Sequence, residues 1–387
     1  MSEIVQKYFK GDRIIWGVIL GLSIFSVLAV YSSTGTLAYK YQGGNTGYYI
    51  MKHATFLFIG LIIVYITHLI PYKFFSRLSQ LFVLIAVPLL VITLFMGASI
   101  NEASRWLTLP GLGFTVQTSD FAKLALIMYI ARFLSIRQDK VKDFNTTFVP
   151  LIIPVLLICG LILPANLSTS VILFGTSIVL MFIGRINFRY ILLLFIILIG
   201  LLAAFIFIAK TIGYEGRIKT WENRVENFKS GDGDEDGNYQ ADQSKIAIST
   251  GGIFGKGPGN SVQRNFLPHP YSDFIYAIIV EEYGSFGGLI ILLFYLILFF
   301  RAGVIVRKSS RTFPAFLAVG LTLMLVFQAI VNMAVAVGII PVTGQPLPLV
   351  SMGGSSMLFS CTALGVILSV SRSTRDPEVI TENNEND

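Results

Sequence analysis

Apolar runs long enough to cross a hydrocarbon core of about 30 Å recur near residues 14–32, 50–70, 77–97, 119–136, 148–164, 169–184, 190–210, 274–300, 314–340 and 355–371. The pattern predicts an all-α polytopic membrane protein with ten transmembrane helices. Most connections are short. Three are not: a polar, glycine-rich loop over about 211–273 between the seventh and eighth runs, "NEASRWLTLPGLGFTVQTSD" (101–120), and the uncharged "PVTGQPLPLVSMGGSS" (341–356). Irregular backbone at membrane depth survives only when protein buries it or it lines a wet cavity, so three such loops on one face predict an outward-facing site.

Charge orients the bundle. With the N-terminus inside, the inside segments collect Lys7, Lys10, Arg13, Lys73, Arg77, Arg132, Arg137, Lys140, Lys142, Arg185, Arg189, Arg301, Arg307, Lys308, Arg311, Arg372 and Arg375, while the short outside loops hold little beyond Lys40 and Arg105. This bias puts both termini in the cytoplasm. The long loop is exempt from the rule, since long translocated segments cross regardless of charge. Composition agrees: 54% of the 387 residues are hydrophobic and 13% charged, which excludes a soluble domain. The net charge of +7 is spread between apolar segments and never forms a patch, so a nucleic-acid partner is not expected. Residues 1–375 read as one transmembrane domain and 376–387 as an acidic, disordered tail. No small-residue cleavage site follows the first run, so a cleavable signal is not expected. Cys159 and Cys361 fall inside apolar runs and behave as small hydrophobes.

The loops carry the candidate chemistry. Asp273 stands where the long loop meets its helix; it reads either as an N-cap or as a general base held at the membrane surface, and both can hold at once. Glu281 and Glu282 follow two helical turns on, where carboxylates are costly; a structural role is expected, with Lys123 as pairing candidate, against a proton or ion relay. "SRW" (104–106) offers an interfacial anchor, or Arg105 for a phosphate and Trp106 for a sugar face. "DGDEDG" (232–237) begins like a calcium loop but has Gln243 at position twelve, so a solvated acidic turn is the better reading. "GGIFGKGPG" (251–259) lacks nucleotide-cradle spacing and reads as a flexible loop with one cation, Lys256. His53, His68 and His269 are scattered and support no metal site.

"YQADQSKIAISTGGIFGKGPGNSVQRNFLPHPYSDFIYAIIVEEYG" (239–284), "NMAVAVGIIPVTGQPLPLVSMGGSS" (332–356) and "ASRW" (103–106) resemble the SEDS family, the FtsW and RodA proteins of bacterial cell-wall synthesis. The resemblance covers about residues 14 to 372. It implies a peptidoglycan glycosyltransferase that polymerises lipid II on the outer face of the cytoplasmic (inner) membrane, with a class B penicillin-binding transpeptidase and divisome proteins as partners and Asp273 as catalytic residue. It also places Arg105, Trp106, Gln117, Lys123, Gln243, Ser244, Lys245, Lys256, Ser351, Gly353, Gly354 and Ser355 at the substrate. A divalent cation, Mg or Mn, is an open option as cofactor. Departures from the family pattern are His269 and Ser272 in "LPHPYSDF", Asp120 in "QTSD" and Asn166 in "PANLSTS". These variants resemble FtsW of the Bacteroidetes more than RodA, which implies septal wall synthesis; an elongation polymerase, a lipid II flippase and an inactive scaffold are the competing readings.

Overall fold

The computed structural model describes residues 9–100, 103–109, 114–198, 200 and 235–374. In chain order its helices are α1 (Arg13–Ser33), α2 (Gly35–Gln42), α3 (Thr46–Leu69), α4 (Tyr72–Met96), α5 (Thr118–Ile136), α6 (Val149–Ile162), α7 (Leu167–Ile183), α8 (Phe188–Leu198), α9 (Glu235–Gly251), α10 (Ile275–Lys308), α11 (Thr312–Ala336) and α12 (Ser355–Ser373). Among the described residues, seven helical stretches are long and apolar enough to cross a membrane. They are α1, α3, α4, α6 with the π-helical turn before it, α10, α11 and α12; α7 and α8 are apolar but shorter. The predicted tail 376–387, the seventh run beyond residue 200 and the long loop up to residue 234 lie outside the described residues.

Burial sorts the helices into an inner and an outer set. α11 and α12 bury 78% of their apolar windows, whereas α4 buries 22% and presents Leu84 and Phe95 outward. α5 is lined on almost every side by buried residues from Thr118 to Leu134 and packs on α4 and α11. A helix apolar on all sides needs no solvent-facing stripe when lipid or other helices surround it. An ion pair fastens α1 to α10 at one end of the bundle: Arg301 Nε donates to Asp12 Oδ2 over 2.8 Å, and the Asp12 side chain also caps α1.

Two connections differ from the sequence expectation. Three strands, β1 (Ala98–Ile100), β2 (Ala103–Leu109) and β3 (Phe114–Gln117), form an antiparallel sheet in the order β1-β2-β3. Within the described part of the long loop, α9 packs along α10 and buries Ala247 against Ala277 and Ala336. The calcium-like stretch is accordingly helical from Glu235 to Gln243, while Asp232 and Asp234 lie outside the described residues.

The eighth apolar run is broken. α10 carries a non-helical residue, Gly284, at φ 70° and ψ −177°, a region that essentially only glycine occupies. A regular helix would bond Ser285 N–H to the carbonyl of Glu281 and Phe286 N–H to that of Glu282. Instead Ser285 and Phe286 donate to the carbonyls of Gly252 (2.8 Å) and Ile253 (3.2 Å), and the carbonyls of Glu281 and Glu282 accept from Lys256 and Gly257, each at 2.9 Å. The "GGIFGKGPG" segment therefore replaces one turn of the helical ladder, and its backbone is fixed by those four bonds although Ile253 and Phe254 remain exposed, which corrects the flexible-loop reading. Residues 285–308 still reach about 36 Å, enough to span alone. A span over 285–308 leaves Glu281 and Glu282 outside it, at the break.

Candidate active site

Asp273 lies in the turn that delivers the chain to α10, and it is half-buried. It is not the N-cap: α10 begins at Ile275, its N-cap is Phe274, and no side chain caps it. The N-cap reading is corrected, because a further residue separates the carboxylate from the first helical turn. Ser272 Oγ donates to Asp273 Oδ1 over 2.9 Å, and the Asp273 carbonyl accepts from Asn332 Nδ2 of α11 over 2.8 Å. Oδ2 overlies Gly344, where an added Cβ would come within 3.6 Å of it. The carboxylate is therefore held at its backbone from below and faces the 341–354 segment.

That segment crosses the end of the bundle without regular structure, and side chains from three helices satisfy its carbonyls. Asn332 Nδ2 donates to Gln345 O (2.7 Å), Gln328 Nε2 to Pro346 O (2.9 Å), Tyr295 OH to Pro348 O (2.5 Å) and Ser26 Oγ to Val350 O (2.8 Å). Pro341, Pro346 and Pro348 contribute no N–H that would need a partner. Ser351, buried, accepts from Leu347 N–H (2.8 Å) and donates to Ser272 O (2.6 Å), and Met352 N–H donates to Tyr271 O (2.9 Å). The Asp273 turn and the 341–354 segment are thereby one unit.

The network continues sideways. Gln345 Nε2 donates to Thr169 Oγ1 (2.8 Å) at the start of α7. Gln328 Oε1 accepts from Lys123 Nζ (2.9 Å), whose ammonium also pairs with Asp120 at 2.7 Å. Both members of that pair are nearly sealed from solvent, with side-chain exposures of 6% and 3%. The expectation that Lys123 pairs with Glu281 or Glu282 is thus corrected. Asp120 lies one turn away on the same helix and meets the ammonium first. Glu281, fully buried, pairs with Lys256 (2.6 Å) and accepts from Ser261 Oγ (2.5 Å), Val262 N–H (3.1 Å) and Gln263 N–H (3.2 Å). Glu282 accepts from Ser32 Oγ of α1 and from Ser261 N–H (3.3 Å). These carboxylates staple residues 256–263 to the break in α10.

The remaining expected residues divide by location. Gln117 ends β3, donates its N–H to Ser355 Oγ (3.1 Å) and stands opposite Trp106 in the sheet. Trp106 is half-buried; the side chain of its neighbour Arg105 lies outside the described part of the structure. Gly353 and Gly354 lead into α12, with Gly354 at its N-cap in a left-handed conformation (φ 50°). On α9, Ser244 is buried and donates to Ala336 O (2.7 Å), Gln243 is half-buried, and Lys245 is exposed, paired with Asp242 at 3.3 Å. The Lys245 stem lies against Gly338, where a Cβ would come 2.7 Å from Cε. Lys256 Nζ is engaged by Glu281 and Thr250 Oγ1 (2.9 Å). Sequence reasoning did not single out Asn332, Gln328 or Gln345. Their one signal is an amide inside an otherwise apolar run or a proline-rich loop.

The family model for FtsW, RodA and SpoVE, described as "Cell cycle protein", matches residues 12–376. A probable peptidoglycan glycosyltransferase FtsW from Trichlorobacter lovleyi is 32% identical over 96% of this chain and 96% of that protein. The stage V sporulation protein E of Bacillus subtilis is 34% identical over 95% and 99%. Among solved structures, one from work on the coordination of polymerization and crosslinking by a peptidoglycan synthase complex superposes with a TM-score of 0.69 at 24% identity, covering 95% of this chain and 99% of its own. The rod shape determining protein RodA of Thermus thermophilus does so with a TM-score of 0.68 at 21% identity, over 96% and 99%. At those identities the superpositions establish the fold. The sequence matches establish the family: this chain is a member of the SEDS group of FtsW, RodA and SpoVE proteins.

Proposed function

We propose that this protein is a peptidoglycan glycosyltransferase that polymerises lipid II at the outer face of the cytoplasmic membrane, as the septal, FtsW-like member of its family. The observation that carries this reading is Asp273, half-buried at one end of a membrane bundle, its carboxylate accepting from Ser272 and facing Gly344 and its backbone carbonyl held by Asn332. Relatives named peptidoglycan glycosyltransferase FtsW align over nearly the whole chain. Polymerisation needs a base for the attacking sugar hydroxyl and positive charge for the departing pyrophosphate. Asp273 takes the proton of the acceptor 4-hydroxyl. Arg105 and Lys245 hold the pyrophosphate, and Trp106 packs on a sugar face. The anomeric carbon inverts. Lys256 leaves the pyrophosphate set, because Glu281 and Thr250 already engage its ammonium.

No group of three or more His, Cys, Asp or Glu side chains able to hold a metal occurs among the described residues. A Mg or Mn ion would meet Asp273 as a lone carboxylate and be carried chiefly by the phosphates of the substrate, whose charge it would neutralise. The partner in this reading is a class B penicillin-binding transpeptidase, in keeping with the structural similarity to a component of a polymerising and crosslinking complex. A flippase path gated by Glu281, Glu282 and Lys123 has less support. Glu281 and Lys123 are held in local ion pairs, and Glu282 accepts from Ser32 and Ser261.

Asp273→Asn tests the base. Purified variant given lipid II should form no glycan chains, a loss of at least about 100-fold on the scale of general-base catalysis, while partner co-purification persists. Near-normal polymerisation by Asp273→Asn would remove the base from the mechanism.

A further inference from the structure

A second polar site lies at the opposite end of the bundle. A cavity of about 600 Å³ opens where α4 and α11 begin and α5 ends, and Lys73, Arg77, Arg132 and Arg311 all line it. No Asp or Glu is among its lining residues. Between Thr312 at this cavity and Asn332 beside Asp273, α11 rises about 30 Å, one hydrocarbon thickness. Lys73 and Arg77 of α4 and Arg132 of α5, drawn together at this cavity, repel one another unless an anion joins them.

The lining is set up for such an anion. Arg132 Nη1 donates to the Ser76 carbonyl (2.7 Å) and Ser76 Oγ (3.1 Å), which orients its guanidinium, while its Nε is buried without a hydrogen-bond partner. Neither α4 nor α11 has a side-chain cap, so first-turn N–H groups add positive potential where phosphates bind well. An adjoining cavity of about 150 Å³ shares Arg132 and is walled by Tyr129, Phe133 and Ile136, with Gln80 and Arg137 at its polar side. Ile136 and, on α4, Phe74 are more than half exposed, which places an apolar outer surface beside the cationic cavity. A phosphate continuous with an acyl chain satisfies both halves; a soluble phosphate satisfies only one.

We propose that this pair of cavities binds an anionic glycerophospholipid of the inner leaflet, its phosphate among Lys73, Arg77 and Arg132 and its chain against Phe133 and Ile136. Basic pockets between helices on the cytoplasmic side suit such headgroups. The site owes nothing to glycan chemistry, so its test is independent of the polymerase proposal. Full-length protein in detergent is titrated with phosphatidylglycerol or phosphatidylcholine and the bound lipid counted by native mass spectrometry. Phosphatidylglycerol should bind at least about tenfold more tightly, and Lys73→Gln with Arg77→Gln should remove about tenfold of that affinity. Both side chains are exposed, so the double variant should fold. Lys140→Gln, a nearby exposed cation outside the cavity, should leave binding unchanged. Equal binding of the two lipids, an unaffected double variant, or a Lys140→Gln loss as large as the double variant's would overturn the proposal. Displacement by tail-free glycerol phosphate at concentrations equal to the lipid would do so too, in favour of a soluble phosphate.

Discussion

Glu281 and Glu282 are neighbours in sequence with separate duties: the first gathers one ammonium, one hydroxyl and two backbone amides of the 256–263 loop, and the second reaches across to Ser32 of α1. Their position at a break, and not in the middle of a span, makes two carboxylates tolerable. Lys123 is the more exacting case, since it and Asp120 are both buried. Removing one partner of such a pair costs about 3–5 kcal/mol, whereas replacing both with neutral groups can cost little. Asp120→Asn should therefore lower the thermal stability of the purified protein more than Asp120→Asn combined with Lys123→Met, as read by size-exclusion chromatography after heating. In the proposed mechanism Asn332 acts through position. Its Nδ2 donates to both the Asp273 and Gln345 carbonyls, so Asn332→Ala leaves two acceptors unpaired at about 1–3 kcal/mol each. We expect a loss of about tenfold or more in lipid II polymerisation per amount of monodisperse protein, together with a lowered thermal stability of that fraction.

At the scale of elements, the break in α10 and the loop that fills it depend on glycine at closely opposed positions. A Cβ on Gly284 would lie 2.1 Å from the Ile253 carbonyl oxygen, and one on Gly255 2.1 Å from that of Glu282. These contacts are backbone against backbone, so no rotamer change relieves them. Gly284→Ala should abolish accumulation of folded protein in membranes; Gly17→Ala on α1, where a Cβ meets nothing within 4 Å, should accumulate like the parent. Fluorescence-detected chromatography of tagged variants separates the two outcomes. The 341–354 segment is a second irregular element, held by the amides of Gln328 and Asn332 and the hydroxyls of Tyr295 and Ser26. From sequence, such a segment reads as exposed loop or buried strut with equal ease, because its partners are scattered over more than 300 positions of the chain.

Over the whole molecule, the cations of α4, α5, α10 and α11 gather at one end and Asp273 with the three-stranded sheet at the other, in keeping with the orientation proposed from the charge bias. Labelling can check it, and the native thiols will not interfere because Cys159 and Cys361 are buried. Ser249→Cys on α9 should react with a membrane-impermeant maleimide in spheroplasts, and Asp139→Cys in the α5–α6 connection only after permeabilisation. The opposite pattern would invert the bundle and place Asp273 in the cytoplasm.

Hydrophobic length is a local property, and so the membrane-spanning character of the chain and the family motifs around Asp273 were legible in the chain alone, while seven of the ten predicted runs appear among the described residues as helices long and apolar enough to span. Each rests on residues close together in sequence, where the cost of placing a side chain in lipid or in water is set by that side chain. The pairing of Lys123 with Asp120, the insertion of residues 252–257 into the broken ladder of α10, and the carbonyl ligands of the 341–354 segment were not legible. Those depend on which distant groups meet after helices pack. A buried polar atom accepts whichever partner geometry brings within about 3 Å, and that choice is made by the assembled bundle.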